Sequence, residues 1–304
     1  AGTSSLPPVN DQFERTIVAP AICAGVGVHT GRRVRLAIRP AAPGSGITFV
    51  RTDVRDRDNR IPVSGEAVID ARLNTMIENA AGVRLSTIEH LMAAFAALGV
   101  SNAVVEVDGP ELPILDGSAL PFVQLLDRAG FRGQDAFRRV IEIVEPIRVQ
   151  EGDKSAALLP CDRYEMRFEI DFPTPVIGNQ VVDFVVDERT FRDEIMAART
   201  FGFAHEVEAL RQAGLARGGS LENAVVIDGD VILNPGGLRM EREFVRHKAL
   251  DAIGDLYVLG APLLGRYEGV KAGHALNNQL VRALLANPQA WRVVTRAPEL
   301  ALAS

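Results

Sequence analysis

Ser86-Thr87-Ile88-Glu89-His90-Leu91, running on through Met92, Phe95 and Leu98, is the stretch on which the fold turns. Ser86 is a residue type that caps helices, so a helix is expected over residues 86–98. Ile88, Leu91, Met92, Phe95 and Leu98 would surround its axis with apolar side chains. A helix apolar on nearly all sides is buried between layers. Glu89 and His90 sit inside that run. Ser86-x-x-Glu89 fits a capping box, in which the carboxylate returns to the cap N–H, and for Glu89 alone this is the stronger reading. His90 changes the balance, because an unpartnered imidazole in an apolar helix is costly; a core histidine satisfied by a carbonyl is the bland alternative. The pair is not a His-Glu-x-x-His motif or its inverse, since Ser86 stands where a second histidine would be needed.

A second cluster lies far down the chain: His247-Lys248-Ala249-Leu250-Asp251, then Asp255 and His274. Three of the chain's five histidines fall in these two clusters. His247 and Asp251 are spaced i, i+4, which puts both on one helical face, as a metal pair or an ordinary His–Asp pair. Ala249, Leu250, Ala252, Ile253 and Leu256 make the surroundings apolar, so Lys248 and Asp255 are expected to be partly buried. Two imidazoles and a carboxylate can hold a Zn²⁺ and leave a fourth position to water. Glu89 and His274 then supply a base and an acid, which points to a hydrolase. His274 opens a helix, where a cation is disfavoured; an acid there needs an anionic neighbour, and Asp255 is the candidate.

The bulk numbers set limits. A chain of 304 residues can form two domains. A net charge of −6 with no basic stripe argues against nucleic acid. The two cysteines, Cys23 and Cys161, have no metal-ligand spacing and fit a reducing compartment. No apolar stretch is long enough to cross a bilayer, although an encounter with a membrane surface stays open. Residues 1–12 are read as a loose tail.

Strands are expected at residues 34–38, 104–107, 139–144, 164–170 and 180–186, and further helices at 121–129, 207–213, 239–259 and 275–286. The polar run at 132–135 is the candidate boundary between a first domain (13–134) and a second (135–304). Each half has strands first and a buried helix later, which suggests two related α+β domains packed against each other. Thr200 is of a type that can donate to an oxyanion, though most such threonines pack or cap. Gly25-Val26-Gly27-Val28-His29-Thr30-Gly31 reads as a tight turn, because a strand and not a helix follows it. His205 reads as a surface residue. Gly218-Gly219-Ser220 and Asn234-Pro235-Gly236-Gly237 read as turns.

Taken together, these segments resemble the UDP-3-O-acyl-N-acetylglucosamine deacetylase family of lipid A biosynthesis. The resemblance runs from about Arg15 to Ala286. It rests on the 25–31 and 86–91 segments, on Pro113-Ile114-Leu115-Asp116-Gly117-Ser118, on Ala198-Arg199-Thr200-Phe201-Gly202-Phe203, on the 247–256 segment and on Gly273-His274-Ala275-Leu276-Asn277-Asn278. It implies two β-α-α-β domains with the active site between them. It implies His90, His247 and Asp251 as ligands of Zn²⁺, with Fe²⁺ as the alternative metal. It further implies Glu89 as general base, His274 as general acid, Asp255 as that acid's partner and Thr200 as oxyanion donor. Lys248, Lys271 and Phe201 would meet substrate, and Val28, Val207, Ala216, Gly219, Ser220 and Leu221 would line an acyl passage. The implied reaction is hydrolysis of the N-acetyl amide of a UDP-linked, acylated N-acetylglucosamine by a cytoplasmic monomer. The chain has no cysteine at Asn74-Thr75-Met76, where some members carry one. From the residues alone, a non-haem iron oxygenase and a sugar-nucleotide binding module with structural zinc are the competing classes.

Overall fold

The computed structural model describes residues 12–295; the first eleven residues of the expected tail lie outside them. The first half is built on a five-stranded sheet. Its order is Ala21–Val26, Arg33–Pro40, Ala103–Val107, Ile47–Arg51, Arg60–Pro62. All neighbours are antiparallel except Ile47–Arg51 with Ala103–Val107. Alternation explains Arg33–Pro40: Val34, Leu36 and Ile38 go inward while Arg33 and Arg35 stay exposed.

The second half repeats this topology. Ile147–Glu151, Lys154–Leu159, Leu263–Val270, Tyr164–Asp171 and Asn179–Val185 pair in that order. Among these five strands the parallel pair is again the third-formed strand with the last-formed one, Tyr164–Asp171 with Leu263–Val270. In each half a small three-stranded sheet interrupts the chain before the long helix. In the first it is Val68–Asp70, Met76–Glu78 and Arg84–Leu85; in the second, Phe201–Phe203, Val225–Asp228 and Val231–Ile232. Arg139–Ile143 and Trp291–Thr295 extend the second sheet.

The helices are α1 (Glu89–Leu98), α2 (Leu120–Ala129), the single turn α3 (Glu188–Thr190), α4 (Ala204–Gln212), α5 (Glu243–Leu256) and α6 (His274–Leu285). The apolar run in α1 is buried as expected, from Glu89 to Phe95 and again at Leu98. The cap is not as expected. Ser86 bridges to Glu111, the helix begins only at Glu89, and Ile88 in the cap position offers no side-chain bond. The reason is local: Thr87 takes φ 63°, a left-handed turn that places Ser86 outside the helix. Residues 132–135 are also not a break. They lie in Phe131–Phe137, which pairs with Phe13–Ile17; Arg132 and Asp135 face water, while half-buried Gln134 accepts from Asn102 and donates to the Ala41 carbonyl. The helix expected at 239–259 is shorter, because Arg242 at φ 54° delays its start and Tyr257–Leu259 is a 3₁₀ turn. No helix among the described residues is long and apolar enough to cross a membrane.

The two halves meet where α1 lies on α5. The contact is backbone to backbone. A β-carbon on Gly254 would stand 2.0 Å from the Glu89 carbonyl oxygen and 3.2 Å from the Ala93 nitrogen. Only hydrogen fits there. This approach sets Glu89 and His90 beside the face of α5 that carries His247 and Asp251. Gly254→Ala is expected to lower stability by about 1–3 kcal/mol through overpacking. A thermal melt followed by circular dichroism should show the drop.

Candidate active site

α5 carries His247, Asp251 and Asp255 on one face, as the i, i+4 spacing requires, and α1 brings His90 across to them. His90 Nε2 and His247 Nε2 each lie 3.2 Å from Asp251 Oδ1. One ligand atom from each of the three residues falls within 4.8 Å of the other two, and all three side chains are buried. His247 Nε2 and Asp251 Oδ1 make no hydrogen bond. Buried polar atoms without partners are costly, and here they converge on one point. Ligand atoms about 2.0–2.1 Å from a tetrahedral Zn²⁺ stand roughly 3.3 Å apart, so the donor set fits a small divalent cation.

The tautomer of His247 is fixed. Its Nδ1 lies 2.9 Å from the Ala198 carbonyl, which can only accept, so Nδ1 carries the proton and Nε2 is free to ligate. Ala198 is itself held by the neighbouring chain. Arg199 is paired with Glu243, a buried carboxylate in the first turn of α5 that also accepts the Arg199 and Arg239 backbone N–H groups. The Thr200 backbone N–H donates to the Gly117 carbonyl at 2.9 Å, and its methyl faces Gly117. Phe201 packs edge-on against Phe244 and Phe172.

Glu89 and His274 flank the cluster. His274 Nε2 is 3.5 Å from Glu89 Oε1 and 3.6 Å from Asp251 Oδ2. On its other side, Nδ1 donates to Asp255 Oδ2 at 2.7 Å. Burial pushes the His274 imidazolium toward neutrality, but the carboxylates of Asp255, Asp251 and Glu89 outweigh it and raise its pKa to about 10. Burial also raises Glu89 above the ordinary carboxylate range, with His274 and His90 opposing. Asp251 is pushed up by burial but held well below that range by His247 and His274. Burial pushes His90 down, and the adjacent Asp251 carboxylate more than reverses that. A bound dication would invert this last direction, since a ligating imidazole must be neutral.

Other expected residues fall at the periphery. The Lys248 ammonium lies 3.9 Å from where a β-carbon on Gly273 would stand, one residue before His274. The Lys271 ammonium is engaged by Asp153 at 2.6 Å, away from the cluster. The turn at residues 27–31 closes as expected, Gly31 N–H on Gly27 oxygen, and the 216–219 loop docks on it. Gly218 N–H donates to the Val28 carbonyl at 3.0 Å, Ala216 N–H to His29 Nδ1 at 3.3 Å, and Gly219 N–H to Ala216 oxygen at 3.1 Å. This brings Val28, Ala216, Gly219 and Ser220 together. Val207 packs by Gly202, and Leu221 is 42% exposed at the edge. His205 is on the surface.

The sequence reading missed several supporting residues. Thr75 donates to both Glu89 and Asp255, Asn277 donates to Asp255 Oδ2 at 2.9 Å, and the Tyr267 hydroxyl donates to Asn277 at 2.6 Å. Glu111 accepts from the His29 and Thr30 N–H groups and so pins the turn. Asn277, three residues after His274 on the same helical face, was the one legible from spacing.

A two-fold repeated α+β chain that gathers a His–His–Asp cluster between its halves, with a carboxylate and an imidazolium beside it, has the site of a metal-dependent hydrolase. Comparison with known proteins narrows the class. The family profile described as UDP-3-O-acyl N-acetylglycosamine deacetylase matches residues 14–286. A protein of Phenylobacterium zucineum (strain HLK1) named UDP-3-O-acyl-N-acetylglucosamine deacetylase is 66% identical over 289 residues, covering 95% of this chain and 99% of its own. Proteins of the same name from Shewanella sp. (strain W3-18-1) and Shewanella baltica (strain OS155) are 50% identical over 285 residues, with 93% of each chain covered. The chain belongs to the UDP-3-O-acyl N-acetylglycosamine deacetylase family.

Removing one ligand should cost more than the 10- to 100-fold in metal affinity typical of outer residues, so His247→Ala is expected to lose more than about 100-fold. Metal content after dialysis, by elemental analysis, checks this; full retention would exclude His247 as a ligand.

Proposed function

We propose that this chain hydrolyses the N-acetyl amide of a UDP-3-O-(hydroxyacyl)-N-acetylglucosamine, releasing acetate and a free amine in lipid A biosynthesis. The observation that carries the reading is the placement of Glu89 Oε1 and His274 Nε2 3.5 Å apart at the edge of the His90–His247–Asp251 cluster. His90, His247 and Asp251 would hold Zn²⁺, with Fe²⁺ as the alternative, and the cation would polarise the amide carbonyl and acidify water. Glu89 takes a proton from the attacking water. Burial, which raises its pKa, makes it a stronger base for that task. His274, kept charged by Asp255, gives a proton to the departing nitrogen, which cannot leave as an anion. Thr200, anchored through its N–H on the Gly117 carbonyl, donates its hydroxyl to the developing oxyanion.

Lys248, at the rim near Gly273, is the substrate cation nearest the chemistry. Lys271 would have to leave Asp153 to meet substrate. Val28, Val207, Ala216, Gly219, Ser220 and Leu221 would carry the acyl chain, with Phe201 beside the sugar. We further read residues 13–134 and 135–304 as the two domains, their border falling within the Phe131–Phe137 strand and not in a loop, and the protein as a cytoplasmic monomer. An oxygenase would need no base and acid paired in this way, and a structural zinc site would use four protein ligands.

The deciding experiment is acetate release by the purified protein before and after chelation, with add-back of Zn²⁺ or Fe²⁺; activity untouched by chelation would end the reading. Glu89→Gln should lower kcat by about 10²–10⁴-fold while metal content stays whole. The pH–rate profile tests the acid. His274 with a raised pKa is the working acid below about 10, and activity falls as pH rises through that value. Asp255→Asn removes the leading carboxylate and should move this basic limb to lower pH. A limb that stays in place would remove Asp255 from that role.

A further inference from the structure

We infer that Thr75 is a positioning residue for the acid–base pair: it fixes which carboxylate oxygen Glu89 and Asp255 each present to the reaction. The inference rests on the acid–base reading above. Every polar group of Thr75 is engaged at the junction of α1 and α5. Its backbone N–H donates to Glu89 Oε2 at 3.1 Å. Its hydroxyl donates to Asp255 Oδ1 at 2.6 Å. Its carbonyl accepts from Thr87 N–H at 3.0 Å and Ile88 N–H at 3.5 Å, just before α1 begins. The residue itself is 2% exposed.

The consequence is a division of labour between oxygens. Glu89 Oε2 is held by Thr75, which leaves Oε1 to face His274 and the water to be deprotonated. Asp255 Oδ1 is held by the Thr75 hydroxyl, which leaves Oδ2 to His274 Nδ1 and Asn277. A hydroxyl has one proton. That proton goes to Asp255, because His274 Nδ1 is already a donor to Asp255 and lies farther from Thr75 Oγ1, at 3.4 Å. Thr75 thus ties base and acid to one rigid point from a segment of the first half. Thr87, bonded to the Thr75 carbonyl, adopts the left-handed conformation that a β-branched residue takes only under constraint.

The test uses the metal-loaded enzyme and acetate release from the UDP-3-O-(hydroxyacyl)-N-acetylglucosamine. Thr75→Val keeps volume and backbone N–H but removes the hydroxyl; Thr75→Ser keeps the hydroxyl. For Thr75→Val, kcat should fall about ten-fold, the worth of a hydrogen bond to a charged group, with KM and metal content unchanged. Thr75→Ser should stay within about two-fold of the parent. In an Asp255→Asn background, Thr75→Val should cause no further loss, because the carboxylate it orients is gone. An unchanged kcat in Thr75→Val, an equal loss in Thr75→Ser, or losses that multiply in the double variant would overturn the inference. So would loss of metal or of the folded state in Thr75→Val, which would make the residue structural. A fully active Asp255→Asn would sink the acid–base reading instead, whereas an impaired Asp255→Asn beside an unaffected Thr75→Val sinks this inference alone.

Discussion

The close approach of two helix backbones at Gly254 is the constraint on which the rest of the structure depends. Glu89 and His90 belong to one half and His247, Asp251 and His274 to the other, so the His–His–Asp cluster and its flanking pair assemble only where α1 and α5 touch. Side chains between helices would hold them at the usual 8–10 Å separation. Gly254 removes the spacer and lets the Glu89 carbonyl sit where a methyl group would be.

That approach concentrates charge where water is scarce. Glu89, Asp251 and Asp255 are all buried, and each would be strongly destabilised as a lone anion. A dication held by His90, His247 and Asp251, together with an imidazolium at His274, would neutralise the three. That balance would leave the site charged in its parts and neutral as a whole, reconciling burial with ionisation. It also explains the opposite directions of Glu89 and Asp251. Asp251 is bracketed by His90, His247 and His274, while Glu89 is dominated by its burial.

The sequence carried the local features well. The apolar wrap of residues 86–98 announced a buried helix, and the i, i+4 spacing of His247 and Asp251 announced a shared face. What it did not carry was set by contacts across the chain. Ser86 has a capping side chain, yet it is drawn into a bridge with Glu111 and the cap is lost. Residues 132–135 are polar enough for a loop, yet a two-stranded ribbon needs only one face covered. Thr75 touches Asp255 across 180 residues, and nothing in its neighbourhood marks it. The repeated strand order was equally hidden, because pairing partners are not encoded in periodicity.

That strand order has a kinetic consequence. In each half the last strand of the core sheet inserts between two strands laid down earlier, Ala103–Val107 in the first and Leu263–Val270 in the second. Parallel partners of this kind cannot zip from a hairpin; the long crossover must be in hand before the gap is filled. The crossovers contain α1 and α5, the elements that bear His90, His247 and Asp251. Any affinity of that cluster for an ion would therefore emerge late, when both sheets have closed, and a chain still leaving the ribosome would offer scattered imidazoles in place of a chelating trap.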